Sequence, residues 1–325
     1  MVRQARVQAM NQNHSIVTVT LNPTFDQTLD VPGFVPGKVN RITDSRIHPG
    51  GKGVNVARVL SDVGESVTAT GFLGDENPAL FEELFLRKKI EDRFLRIPGK
   101  TRVCFKIVDD AAGQTTDVNS PGLAVPPVAV QKLCQQIEAL AAPGRWFLLC
   151  GSIPPGVSEA IYSQLIDAIQ SRGGYVGLDV SGPALAEALG HGPQFAKPNI
   201  AELREIARGT LRSPADVIPI ARKLLRAPAM RLVVVSMGAE GAVFVDGQKA
   251  VIAKAPRVTV KSTFGAGDAM VAGIVSGLMR HLPLEEIARQ ATALGSYAVT
   301  GSDAVFERLC EYETLLPAVS LETVA

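Results

Sequence analysis

The sequence predicts an α/β fold, a mainly parallel sheet covered by helices with a small second sheet standing off it. Three observations lead there. Short β-branched apolar runs alternate with stretches of helical period along most of the 325 residues, the pattern of parallel strands joined by crossover helices. Glycine-rich turns stand at the ends of several of those runs. Two segments, residues 25–47 and 101–118, break the rhythm with mixed polar patterns.

Each element follows in order. "SIVTVTLN" (residues 15–22) is β-branched and stops at Pro23, which reads as the first strand. In "GVNVARVLSDVG", Val56, Val59, Leu60 and Val63 recur at i, i+3, i+4 and i+7, which predicts a helix ended by Gly64. "SVTATGFLG" is the next strand. Later buried strands are expected over residues 145–152, 174–181, 195–199 and 231–238, with a helix across "SEAIYSQLIDAIQSRG". The last third adds a helix beginning at Gly267 and another across "LEEIARQATALGSYAV". The odd segments, with "KVNRITDSRI" and "RVCFKIVDD", read as strands solvated on one face. No Ser/Gly-rich linker, low-complexity tract or repeat divides the chain. One domain is therefore expected over residues 15–318, with the two odd segments as an excursion. Residues 1–14 read as a frayed tail without the apolar region of a secretory signal, and Met10 is a possible start. Residues 319–325 are expected as a second tail.

Composition removes several classes of function. Lys and Arg total 33 against 32 for Asp and Glu, a net charge of +1, so no global field recruits nucleic acid or an anionic membrane. Any phosphate must be held locally. No apolar stretch approaches the about 20 residues that span a bilayer. Cys104, Cys134, Cys150 and Cys310 show no metal-type spacing and read as buried, reduced thiols of a cytoplasmic protein. The scattered histidines support neither a zinc site nor a nucleophile triad.

Chemistry is concentrated in a few motifs. In "STFGAGDAMVAGIVSGL", Gly265 and Gly267 let a ligand approach the main chain at a helix start. Unpaired N–H groups and the positive end of the helix dipole make that start an anion site. Asp268, in the first turn, is expected to be kept ionised by the same dipole and so to accept a proton; a plain capping role is the alternative. Ala269, Gly273 and Gly277 form a smooth stripe for close packing. "HPGGKGVNVARVL" opens the first helix, where Gly50, Gly51 and Gly53 allow close approach, and Lys52 and Asn55 offer a cation and an amide. Asp26, just past the first strand, suits polyol hydroxyls or a solvated lid. In "KPNIAELREI", Glu202 is either the N3 member of a capping box or a carboxylate near magnesium. Ser236, Gly238 and Gly241 form a turn fit to lie under a ribose or phosphate. No GxGxxG or P-loop lysine is present, which argues against a dehydrogenase and a P-loop enzyme.

Taken together, "PGGKGVNVARVL", "STFGAGDAMVAG", "KPNIAEL", "GSIPPGV" and "VSMGAEGA" resemble, in this order, the signatures of the ribokinase-like (PfkB) carbohydrate kinases. The likeness runs from Val17 to about Gly301 and, through "TLNPTFD", "GKVNRI", "GFLGDEN", "GKTRVCFKI" and "TTDVNSPG", points to the hexose-phosphate branch. It implies a three-layer α/β/α core with a β-sheet lid made of the odd segments, shared across a homodimer. It implies ATP and Mg²⁺, and phosphoryl transfer to a phosphorylated ketohexose, fructose-1-phosphate before tagatose-6-phosphate or fructose-6-phosphate.

By the same resemblance, Asp268 is the base, and Gly265, Ala266 and Gly267 form the anion hole. Asp26, Gly50, Gly51, Lys52, Asn55 and Ser152 hold the sugar, while Lys38 and Arg102 grip its phosphate. Lys197, Asn199, Ser236, Gly238, Ala239, Glu240 and Gly241, with Gly267 and Asp268, line the nucleotide site. Glu202 orients Mg²⁺ through water. Phe264 stands where the family more often has valine, so different packing is expected beside the anion hole. A non-catalytic sugar-phosphate sensor on the same fold is the alternative of another class, and the presence of Asp268 argues against it.

Overall fold

The computed structural model describes residues 16–207, 211, 213–301 and 309–324. The expected tail 1–14 lies outside them. β1 (Ile16–Thr20) opens the main sheet, and β2 (Thr24–Asp30) and β3 (Asp44–Gly50) leave it. α1 (Lys52–Asp62) and β4 (Val67–Gly74) return to it, followed by α2 (Ala79–Arg87), β5 (Glu91–Asp92) and β6 (Leu95–Ile97). β7 (Arg102–Asp109) and β8 (Gln114–Val118) leave again. Strand and helix then alternate through α3 (Pro127–Leu140), β9 (Trp146–Cys150), α4 (Ile161–Gln170), β10 (Tyr175–Asp179) and α5 (Pro183–Gly190). The alternation continues with β11 (Phe195–Ala196), α6 (Ile200–Ala207), α7 (Pro214–Leu224) and β12 (Leu232–Ser236). After β13 (Ala242–Asp246) and β14 (Ala250–Lys254) come α8 (Ala266–Met279), α9 (Leu284–Ala298), α10 (Leu309–Leu315) and β15 (Ser320–Val324).

The main sheet runs β15-β14-β13-β12-β11-β10-β9-β1-β4-β5, with β6 also on β4. It is parallel from β4 through β12 and antiparallel from β12 to β15. β2, β3, β7 and β8 form a separate sheet in the order β3-β2-β7-β8, as the two odd segments predict.

Both faces of the main sheet are covered, which is why its long central strands are mostly apolar. Along β1, Ile16 joins a core built with α1, α2, α8 and α9, whereas Val17 and Val19 join a second core built with α3 to α7. Helices thus flank the sheet in three layers. α8 is buried over most of its length. Its small stripe does what the sequence predicts: a Cβ at Gly273 would come within 2.7 Å of the Ala291 Cα, and one at Gly277 within 2.9 Å of Ile287, both on α9.

Three details differ from the sequence expectations. The run 195–199 is strand only at Phe195–Ala196; Pro198 has no N–H to donate, and Asn199 makes an isolated bridge to Ser236. The β13–β14 meander turns the sheet antiparallel where only a turn was expected. The stretch 319–325, expected as a tail, instead pairs with β14 as β15, Ser320–Val324. Leu321 and Val324 point to opposite faces and pack on one core each, so this pairing buries side chains as well as satisfying the edge of β14.

Candidate active site

Four parallel strands, β1, β9, β10 and β11, end side by side, and the chemistry gathers beyond their carboxyl ends. α1 starts hard against β1. Gly51 caps it at φ +103°, where a side chain is strained, and its Cβ would lie 3.1 Å from both Pro23 and Thr20. A Cβ at Gly53 would collide with the Thr20 hydroxyl. These glycines therefore seat the helix so that Lys52 and Asn55 face the strand ends. α8 starts beside it after Gly265, at φ +76°.

The two helix starts meet at one hydrogen bond, in which Asn55 Nδ2 donates to Asp268 Oδ2 at 2.9 Å. Asp268 is buried. Burial is the largest influence on its carboxyl and, with repulsion from Asp179, pushes the pKa up to about 6; Lys52, the Asn55 hydrogen bond and Lys197 pull the other way. Burial therefore works against the ionised form that the helix start was expected to keep. Just above that value the group is an ionised carboxylate ready to take a proton.

Behind Asp268 lies a charge cluster centred on a buried aspartate. Asp179, the last residue of β10, has Oδ1 3.3 Å from both Lys52 Nζ and Lys197 Nζ. Lys197 is only 4% exposed, and a Cβ on Gly267 would touch its Nζ at 3.3 Å. One ammonium group is thus held against the first turn of α8.

The second sheet stands over the other side. Asp26 on β2 lies across the backbone of Gly50 on β3, where any Cβ would overlap its Oδ2. That oxygen is buried without a hydrogen-bond partner. Burial and then repulsion from Asp268 push the Asp26 carboxyl up to about 7, against the pull of Lys106, Arg102 and Arg58. Asp26, His48, Arg58, Lys106, Ser262 and Phe264 line a cleft of about 240 Å³ between lid and core. Lys106 Nζ sits 4.9 Å from the centre of the Phe264 ring, so the side chain expected to pack differently beside the anion hole meets the lid directly.

The expected site residues are not all brought together. Lys38 is exposed on the loop between β2 and β3, outside the cleft lining. The Arg102 guanidinium is engaged by three main-chain carbonyls, donating to Ser120 at 2.6 Å, Asn22 at 2.9 Å and Pro23 at 3.3 Å. Ser152, just past β9, accepts a hydrogen bond from Asn22 at 3.3 Å. On the other flank, Ser236, Gly238, Ala239, Glu240 and Gly241 form the turn after β12, and the Ser236 N–H donates to Pro198 O beside Lys197 and Asn199. Glu202 and Asn199 form a reciprocal capping box, with bonds of 2.8 and 2.9 Å.

Among the described residues no group of three or more His, Cys, Asp or Glu forms a metal cage. Mg²⁺ held chiefly by phosphates and water needs only one or two carboxylates. Glu202 suits that lighter demand, since the cap uses only its Oε2. The sequence reading missed Asp179, Arg58 and Lys106. Arg58 carried a signal, since it follows Asn55 by one helical turn and is buried; Asp179 carried only its place at a strand's carboxyl end.

The comparisons bear on this geometry. The pattern of the pfkB family carbohydrate kinases matches residues 19–308. A 1-phosphofructokinase of Rhodobacter capsulatus is 47% identical over 86% of this chain and 88% of its own length. The crystal structure of phosphofructokinase-2 from Escherichia coli in complex with potassium superposes with a TM-score of 0.86, at 29% identity over 94% of this chain and 98% of that one. The tetrameric inhibited form of the same enzyme gives 0.83, at 31% identity over 92% and 99%.

Proposed function

This chain belongs to the pfkB family of carbohydrate kinases, and from that premise we propose that it moves the γ-phosphoryl group of ATP to a hydroxyl of fructose-1-phosphate. It is an ATP-dependent sugar-phosphate kinase. The observation that carries the mechanism is the buried carboxylate of Asp268, held by Asn55 at 2.9 Å beside the backbone amides of Gly265, Ala266 and Gly267.

In the proposed step, the acceptor hydroxyl lies against Asp268, which takes its proton as the oxygen bonds to the γ-phosphorus and the bond to the ADP oxygen breaks. Charge on the transferring group is met by the α8 amides and by Lys197. Asp26, Asn55 and Gly51 orient the sugar hydroxyls, and the turn at residues 236–241 supports the nucleotide. Glu202 would help hold magnesium, which would supply charge compensation for the phosphates. The lid keeps water from competing with the sugar.

The acceptor assignment follows the name shared by the curated relatives. Tagatose-6-phosphate and fructose-6-phosphate are the alternatives. The exposed lid residues Val35, Val39, Ile42 and Val118 support a homodimer formed through the lid sheet. No described helix is long and apolar enough to cross a membrane, and we assign the enzyme to the cytoplasm.

Coupled ADP release with the three phosphoketohexoses tests this reading. Fructose-1-phosphate is expected to give the highest kcat/KM. Turnover of another phosphosugar without it overturns the acceptor, and binding without ADP release with any of them favours the sensor. Light scattering on wild type and Val39→Asp tests the dimer, which the charged variant should dissociate.

A further inference from the structure

Asp179 is costly as a purely structural residue. It is 2% exposed, its Oδ1 is shared by two ammonium groups at 3.3 Å, and its Oδ2 is sealed without a hydrogen-bond partner. A buried ion pair is tolerated when charges balance and remaining lone pairs are bonded. Here the second condition fails: with Asp268, which feels both lysines, the cluster holds two cations and two carboxylates, but one Asp179 oxygen is left over. The two cations are not scattered. Lys52 begins α1 and Lys197 follows β11, two segments far apart in sequence, yet both reach the same oxygen, and Lys197 continues to the backbone of Gly267.

We propose that Asp179 is a positioning residue, which gathers Lys52 and Lys197 at the start of α8 so that a net positive pair faces the transferring phosphoryl group. Without the carboxylate, two ammonium groups drawn this close repel one another and separate. With it, their mutual repulsion is offset and their positions are fixed before any phosphate arrives, which is how preorganised charge acts in transfer reactions. The inference rests on the reading of residues 265–268 as the transfer site. The electrostatics agree with the geometry: burial alone pushes the Asp179 carboxyl up, but Lys197 and Lys52, by charge and hydrogen bond, outweigh it and hold it below the usual carboxylate range.

The test is Asp179→Asn, which keeps size and removes charge. A misplaced charge at a transfer site costs on the order of 10²-fold, so kcat should fall by about that factor, with KM for ATP raised and KM for the acceptor unchanged. The acid limb of the pH profile is the reading that a structural role would not move. Asp268 faces Lys52 and Asn55 from α1, Asp179 from β10, Lys197 after β11 and Asp26 from the lid. Loss of the Asp179 charge removes one repulsion, but release of Lys52 and Lys197 withdraws both of the pulls that oppose it, so the limb should move to higher pH, whereas charge loss with the lysines left in place would move it down.

Lys52→Met removes one of the cations that oppose that repulsion, and the limb should move up. It also serves if Asp179→Asn does not fold. The pair Asp179→Asn with Lys197→Met should lose no more than the worse single variant, since both act through one cluster. A limb of Asp179→Asn that stays put or moves down, an unmoved limb of Lys52→Met, or fully additive losses overturn the proposal. Where that happens while the wild-type chain releases ADP and Asp268→Asn does not, only this inference has failed; where the wild type releases none, the reading beneath it has.

Discussion

Asn55 and Asp268 stand 213 positions apart in sequence, yet the amide of one donates to the carboxylate of the other at 2.9 Å, joining the first turns of α1 and α8. The bond leaves the second Asp268 oxygen as the outlet for a proton. It also fixes the carboxylate against the α8 amides, so base and anion hole move as one body.

Asp268→Asn should therefore lower kcat by about 10²–10⁴-fold through loss of proton acceptance, with ATP affinity within a fewfold of wild type by calorimetric titration. The same carboxyl sets a pH requirement. Its pKa is raised to about 6, and only the ionised form accepts a proton, so wild-type kcat/KM should fall as pH drops through that value. A profile from pH 4.5 to 9 measures it.

Asp26→Asn should separate stability from activity. The unfolded carboxyl releases its proton near 3.8 and the folded one near 7. Between those values the native state holds the extra proton, so stability falls as pH rises and levels off above 7. At about 1.4 kcal/mol per unit, the penalty at pH 8 is at most roughly 4.5 kcal/mol. The variant should melt higher than wild type at pH 8, the gap should narrow at pH 5, and acceptor KM should rise.

Gly50→Ala places a methyl on the Asp26 carboxylate. The side chain can rotate away, so the fold should survive with little change in Tm, whereas acceptor KM should rise about tenfold or more. Steady-state kinetics beside a melting curve distinguish this from a general packing defect.

Gly273→Ala decides between two opposed effects. In an exposed helix the change gains up to about 1 kcal/mol from propensity. Here the new Cβ meets the Ala291 backbone at 2.7 Å, and overpacking of that kind costs about 1–3 kcal/mol. A lower denaturation midpoint is expected, not a higher one.

The sequence revealed most where a residue's type answers to its immediate neighbours. The helix at Val56 to Val63, the small stripe of α8 and the parallel strand runs follow from local period, and apart from the shortened run at 195–199 they stand where expected. The glycines at 51 and 265 announced helix starts, and both take positive φ there. Legibility failed where a role depends on distant partners. The resemblance casts Arg102 as a grip on the sugar's phosphate, yet its guanidinium meets carbonyls of residues 22, 23 and 120. Asp179 reads as an ordinary strand-end aspartate, and only the fold brings it Lys52 and Lys197. β15 has too short and polar a run to declare itself, because its pairing was determined by the open side of β14.

That last strand has a practical use. Five steps across the sheet separate β15 from β10, roughly 24 Å at the usual ~4.8 Å spacing. Its outward residues Ser320, Glu322 and Thr323 face solvent. A dye or surface tether attached at Thr323 therefore sits well away from the cleft, which makes this margin the natural handle for optical or immobilised assays.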